Sequence, residues 1–456
     1  MTRADATVEL TDDVERGEAD PPASSPGGTD LEFRPDVEGL RAIAILLVVL
    51  YHSGVSWMPG GFLGVDVFFV ISGFLITGLL LREHDRRRAI SLPGFYARRS
   101  RRILPAAMLV IIVTILIGHH FMDPVDFSNG IPPGTSLTEA GKWASLFAAN
   151  LHYANLNTDY FNQTLTPSPL LTYWSLAVEE QFYVVWPTIV LAVGFLTTLL
   201  VRRLRVRQIP VQATVLVVAT GVSIASFLWS VHENAISPNQ AYFSPFTRAW
   251  ELGVGAMAAS LLALVPDLRR LGTAVVQRWV RWAGIALGLG GVAMILVAAV
   301  SDAMPASATA FPPGKAVVPV LGAVAIIVGG ATGTGAGWLL GYKPTGVGTL
   351  GAVWSGYQRV NPMRLIGRVS YGWYLLHYPP MILWAINPLW NGPLPVHERL
   401  LISGLTLVLA FAMYYALEKP IRRSRYLAAR PWVSIAMGLA LVFAAFTVAT
   451  HYTKPL

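Results

Sequence analysis

After a polar opening segment, the chain alternates long apolar stretches with short polar ones. Eleven stretches come near the ~20 residues that an α-helix needs to cross a bilayer. They run approximately 40–57, 62–81, 103–121, 173–200, 211–231, 247–265, 282–300, 316–338, 365–388, 399–417 and 432–451. The pattern predicts an all-α fold, a polytopic transmembrane helix bundle of about eleven membrane helices. The fourth stretch is long and is expected to begin as an interfacial helix. Residues 1–33 are rich in Asp, Glu, Pro, Ser and Gly and poor in large apolar side chains, so they are expected to form a disordered tail. That tail lacks the basic start, apolar core and cleavage site of a secretory signal.

Basic residues orient the bundle. With the N-terminus inside, only Lys142, Arg248, Lys315, Arg399 and Lys454 of the 34 Lys and Arg fall on the outer side. This asymmetry predicts a cytoplasmic N-terminus and an extracytoplasmic C-terminus. Composition agrees: 54% of the 456 residues are hydrophobic and 13% charged, about half the charged share of a soluble domain. The net charge of +8 is absorbed by the inner flanks of membrane helices, and no basic stretch is interleaved with stacking aromatics, so no nucleic-acid partner is expected. The chain has no cysteine, which removes thiolate nucleophiles, disulfides and thiolate-ligated metals. Gly333, Gly335 and Gly337 follow no strand and lack dinucleotide-fingerprint spacing; they read as small residues for close helix packing.

Ionisable groups inside membrane helices are costly and ask for a reason. Arg41 and His52 lie eleven residues apart on the first stretch, about 16 Å along the axis and within roughly 20° of one helix face. One stripe thus carries a cation at the inner mouth and a proton acceptor further out. Alternatively, Arg41 is an ordinary flanking arginine and His52 a satisfied buried histidine. Asp66, one turn into the second stretch, is expected at the depth of His52, where a carboxylate would fix the imidazole's tautomer and raise its basicity. A structural hydrogen bond between the two helices is the competing reading. Glu179 and Glu180 follow Tyr173 and Trp174 at the outer start of the fourth stretch and point about 100° apart, so at most one is expected to face a shared cavity. Arg248 and Glu251 are spaced to pair with each other. His377, beside Pro379, either supports His52 or packs. Arg98, Arg99, Arg101 and Arg102 open the third stretch and suit either a phosphorylated ligand or anionic lipid headgroups. The outer segment 122–172 holds Asn150, His152, Asn155, Asn157, Asp159, Tyr160, Asn162 and Gln163, a set that suits carbohydrate.

Several ordered segments carry a resemblance. They are Glu38-Gly39-Leu40-Arg41-Ala42-Ile43-Ala44, Tyr51-His52, the run Gly61 to Phe74, and Phe95-Tyr96-Ala97-Arg98-Arg99 through Arg102-Ile103-Leu104-Pro105. Tyr173 through Tyr183, Arg248-Ala249-Trp250-Glu251-Leu252, Ser370 to Pro379 and Glu418-Lys419-Pro420 complete the set. Together the segments resemble acyltransferase family 3, the membrane-bound O-acyltransferases of surface glycans and related substrates. The resemblance covers about 34–425. It implies a ten-helix acyltransferase core, here followed over 426–456 by an eleventh membrane helix and a short extracytoplasmic end. It further implies an acyl-CoA donor (most often acetyl-CoA, or succinyl-CoA) bound from the cytoplasm. The acceptor it implies is a hydroxyl of a cell-envelope glycan or glycolipid at the outer face of a bacterial cytoplasmic membrane. It points to His52 as the essential histidine, Arg41 as a motif arginine, and Arg99 with Arg102 as an Arg-x-x-Arg pair near CoA. Many members with an eleventh helix continue into an extracytoplasmic SGNH hydrolase-like domain; this chain stops at Lys454-Pro455-Leu456, so none is expected within it.

The resulting expectation is direct acyl transfer without a metal. Arg41, Arg99 and Arg102 hold the CoA nucleotide, and His52, oriented by Asp66 and assisted by Glu180, takes the proton of the attacking hydroxyl. Glu179, Tyr173, Trp174, Arg248, Glu251 and His377 serve the acceptor side or support it. An acyl-His52 intermediate remains open at this stage. So does a transporter or flippase that moves a glycan or lipid without chemistry.

Overall fold

The computed structural model describes residues 34–87, 89–121, 137–161, 167–204, 209–265, 268, 272–301, 313–333, 361–385 and 394–452. The expected tail 1–33, the residues Asn162 and Gln163, Gly335 and Gly337, and the end at 453–456 lie outside them. Contacts divide the chain into Met1–Arg34 and Pro35–Leu456; all the elements below belong to the second unit.

Among the described residues, each of the eleven apolar stretches contains a long helix. The first five long helices are α1 (Pro35–His52), α2 (Gly64–Arg87), α3 (Leu92–Phe121), α6 (Tyr173–Leu204) and α7 (Val211–Ile236). The remainder are α9 (Pro245–Leu264), α10 (Ala274–Ser301), α11 (Pro313–Ala331), α12 (Pro362–Ala385), α13 (Val396–Met413) and α16 (Pro431–His451). Short helices link them: α4 (Leu137–Ser145), α5 (Ala149–Asn155), α8 (Pro238–Phe243), α14 (Lys419–Arg423) and α15 (Arg425–Ala429). A π turn over Tyr414–Glu418 joins α13 to α14. α6 runs unbroken from Tyr173, so the start of the fourth stretch is continuous with the rest of its helix.

Among the described residues, eight helical stretches are long and apolar enough to cross a membrane. α1, α9 and α12 are not among them; these helices carry Arg41 and His52, the buried Arg248 and Glu251, and the buried His377. These three helices pack at the centre, α1 and α9 against α2 and α12 against α1. Protein contacts there replace the lipid that their side chains could not tolerate. In α2, 83% of the most apolar stretch is buried inside the protein, against 22% in α16, so α2 is the hub and α16 a peripheral helix. Val217, Trp279 and Phe443 are among the large apolar side chains left on outer faces, as lipid solvation requires and aqueous solvation penalises.

Local sequence explains the central crossings. Ser244 accepts from the Phe246 N–H at the start of α9, and Pro245 takes the first helical position. Gly54, at φ 78°, stops the chain after α1 in a conformation that glycine adopts without penalty. Gly73 of α2 and Gly255 of α9 let those helices touch along their backbones: a Cβ on Gly73 would lie 2.7 Å from the Leu252 carbonyl carbon, and one on Gly255 would lie 2.9 Å from that of Val70.

Candidate functional site

Five central helices enclose one cavity, about 730 Å³ counting its open mouth. α1 contributes Arg41, α3 contributes Arg99 and Arg102, and α6 contributes Ser175, Glu179, Glu180 and Tyr183. α2 adds Phe68 and Ser72, and α12 adds Ser370, Tyr371 and Tyr374. Spacings of three and four residues set these side chains on single helix faces: Arg99 with Arg102, Ser175 with Glu179 and Tyr183, Ser370 with Tyr374. The three arginines named from the sequence thus meet in one space, from two helices.

Internal contacts fix the lining. The Arg99 guanidinium stacks over the Tyr183 ring at 3.9 Å, and Tyr183 donates its hydroxyl proton to Glu179 Oε2 at 3.1 Å. Tyr371 donates to the Ile103 carbonyl at 3.0 Å. Tyr374 Oη and Ser175 Oγ are 2.6 Å apart. Both Glu179 and Glu180 line the cavity, which corrects the expectation that at most one would. The space wraps around a corner of α6, leaving Glu179 on Tyr183 while Glu180 lies within electrostatic range of Arg99 and Arg102. Chemically, the cavity is a cationic cradle with acidic and hydroxyl groups along one wall. Its guanidinium forks suit phosphate.

His52 is not among the residues lining this cavity. The contacts that bridge it to the cavity wall run through His377 and Tyr374. Tyr374, in the cavity wall, lies 5.5 Å from the His377 ring, and its carbonyl oxygen is 2.7 Å from His377 Nδ1. His377 Nε2 lies 3.0 Å from His52 Nδ1. The other nitrogen, His52 Nε2, lies 3.0 Å from the Tyr160 hydroxyl. Tyr51 and Tyr378 flank the His52 ring at 5.3 and 4.8 Å. Packing against Tyr242, Trp174 and Phe243 withholds water from Tyr160, and this desolvation holds its hydroxyl well above the usual tyrosine range.

Asp66 does not touch His52, whose ring nitrogens are engaged elsewhere. It pairs at 3.1 Å with Arg248, which also holds Glu251 at 2.9 Å, as the three-residue spacing predicts. This buried triad ties α2 to α9. Arg248 lies 5.4 to 5.7 Å from the rings of Tyr242, Phe69 and Trp174, and Tyr242 stacks on Tyr160 at 4.8 Å. Asp66, Arg248 and Glu251 thus underlie the aromatic cluster that carries Tyr160. Trp174 is wholly buried in that cluster, and Tyr173 turns away from it to donate to the Ala107 carbonyl at 3.1 Å.

Several described residues of the outer polar segment make internal contacts. Asn150 is buried against Gln181 and the Phe243 carbonyl, His152 stacks on Trp143, and Asp159 accepts from the Phe161 N–H. Among the described residues of that segment, Tyr160 is the one that reaches His52. Neither its role nor that of Tyr374 was visible in the sequence: Tyr160 sits in an aperiodic loop, and Tyr374 differs from its aromatic neighbours only by lying one turn before His377.

An acyltransferase domain family matches residues 34–415. The chain is 29% identical over 439 residues to the peptidoglycan O-acetyltransferase OatA of Listeria monocytogenes, covering 91% of this chain and 63% of that protein. It is 28% identical over 406 residues to the O-acetyltransferase OatA of Staphylococcus aureus, covering 86% of this chain and 58% of that protein. The chain therefore spans less than two thirds of the length of either relative. No solved structure matches it.

Proposed function

The chain belongs to the acyltransferase domain family, and we propose that it carries an acyl group, acetyl first among candidates, from a cytoplasmic acyl-CoA to a hydroxyl of a cell-envelope glycan or glycolipid. It would do so across a bacterial cytoplasmic membrane, with the N-terminus inside and eleven helices spanning. Its relatives are named for O-acetylation, and the Listeria protein for peptidoglycan. The central observation in support is that an imidazole nitrogen, His52 Nε2, lies 3.0 Å from a hydroxyl, one residue beyond the wall of a three-arginine cavity.

In this reading Arg41, Arg99 and Arg102 bind the phosphates of CoA, and the thioester arm extends outward toward Tyr374. The acceptor hydroxyl takes the position of the Tyr160 hydroxyl on His52. As its oxygen bonds to the thioester carbonyl carbon, its proton passes to Nε2 of His52. The C–S bond then breaks, and the departing sulfur takes a proton, so the products are ester and free thiol. Glu180, in the field of Arg99 and Arg102, lies on the donor side and positions those arginines; it is not a second base beside His52.

The test uses protein purified in detergent, acetyl-CoA and a soluble peptidoglycan fragment as acceptor, with released CoA followed by thiol titration. Acceptor-dependent release should occur, and His52→Ala should abolish it while the size-exclusion profile stays unchanged. Equal release by the His52→Ala protein would refute the proposal.

A further inference from the structure

The buried His377 and the half-buried His52 dictate where protons sit. A backbone carbonyl only accepts, so the 2.7 Å contact to the Tyr374 oxygen requires a proton on His377 Nδ1. Among the described residues, no carboxylate pairs with either ring, and His377 is 0% exposed, so a second proton on His377 would be a buried charge without a counter-ion. Its Nε2 therefore carries a lone pair. The 3.0 Å contact to His52 Nδ1 then places a proton on that nitrogen, which leaves His52 Nε2 as the acceptor facing the Tyr160 hydroxyl. The order of donation runs Tyr160 hydroxyl to His52, His52 to His377, His377 to the Tyr374 carbonyl.

We propose that His377 is a positioning residue that fixes the Nδ1–H tautomer of His52 and so keeps the Nε2 lone pair turned toward the reacting hydroxyl. This is the function expected of Asp66 from the sequence, performed instead by a neutral ring. It deepens the acyl-transfer reading and rests on it. When Nε2 takes a proton during attack, the Nδ1–H bond to His377 strengthens and steadies the imidazolium. No proton leaves through His377, because its own Nδ1–H ends on a carbonyl. His52 must therefore return the proton through Nε2, the nitrogen at which it arrived. A carbonyl-anchored partner cannot rotate to offer a second donor, so the alternative tautomer, with its proton on Nε2, has no acceptor for the hydroxyl's hydrogen.

Three substitutions separate this role from packing. His377→Leu fills the space without an acceptor. His377→Asn restores a donor near Nδ1 but does not reach His52. His377→Gln places an amide oxygen where Nε2 was. The protein is labelled with ¹⁵N-histidine, and a His52→Gln sample identifies the His52 signals among the nine histidines. Wild-type His52 should show the Nδ1–H tautomer. In His377→Leu and His377→Asn it should shift toward Nε2–H, with kcat falling between about 10²-fold and about 10⁴-fold and the KM for acetyl-CoA unchanged. His377→Gln should keep the tautomer and lose no more than about tenfold. An Nε2–H His52 in the wild type, or unchanged tautomer and kcat in His377→Leu, would overturn the proposal. If His377→Leu does not fold, the wild-type tautomer and the His377→Gln kinetics decide it. A wild type with the Nδ1–H tautomer but no acyl transfer would sink the function reading and leave the tautomer assignment standing.

Discussion

Replacing Gly73 by Ala tests whether the α2–α9 crossing is as close as the structure places it. The new Cβ would lie 2.7 Å from the Leu252 carbonyl carbon and 3.0 Å from its Cα. Carbon atoms touch at about 3.5 Å, and the Leu252 carbonyl oxygen lies nearer still, so the helices must part by at least roughly 0.8 Å. The obstacle is backbone, and no side chain can rotate aside. Overpacking of this kind costs about 1–3 kcal/mol, while alanine's helix propensity returns about 1 kcal/mol. Parting the helices also stretches the Arg248–Asp66 pair from 3.1 Å, a further loss because the charges stay buried. The net sign is destabilising. Gly221 is the control: a Cβ there meets nothing within 4 Å, so Gly221→Ala should be neutral or stabilising. Thermal unfolding of both proteins in one detergent, followed by loss of the monodisperse peak, reads the difference. If Gly73→Ala melts at or above the wild-type temperature, the two helices are not in backbone contact and the triad geometry built on that contact is wrong.

Other outcomes follow from the same geometry. Arg102→Ala should raise the KM for acetyl-CoA by about 10- to 100-fold, the worth of a charge-assisted hydrogen bond, with little change in melting; an unchanged KM would remove Arg102 from the donor site. Arg248→Met leaves Asp66 and Glu251 buried without their cation and should cost about 3–5 kcal/mol of stability, read as a lowered melting temperature. Asp66→Asn keeps the Arg248–Glu251 pair and should keep kcat within about tenfold, the lower end of losses for a direct supporting partner. Loss of turnover in folded Asp66→Asn protein would mean that Asp66 acts on His52 after all.

Much of this organisation was legible in the sequence because lipid enforces it. Apolar runs of spanning length matched the eleven long helices among the described residues, and the expense of burying charge singled out Arg41, His52, Arg248, Glu251 and His377 from the chain alone. The Arg248–Glu251 pair followed from three-residue spacing on one helix. Contacts between helices were not legible. Asp66 matched His52 in depth, but depth says nothing about rotation around the axis, and α2 turns Asp66 toward α9 instead of α1. Glu179 and Glu180 share a cavity because its outline wraps α6, a shape that one-dimensional spacing cannot carry. Tyr160 lies in a loop without periodicity, so its meeting with His52 depends wholly on tertiary packing.

The central claim is that His52 serves chemistry begun on one side of a membrane and completed on the other. Proteoliposomes with the cytoplasmic face outward, an unmodified peptidoglycan fragment sealed inside and radiolabelled acetyl-CoA outside, address it directly. The account predicts labelled ester in the lumen, matched by free CoA in the outer medium, and neither product with His52→Ala. Label appearing only when donor and fragment share a compartment, or fragment crossing the membrane without label, would contradict it.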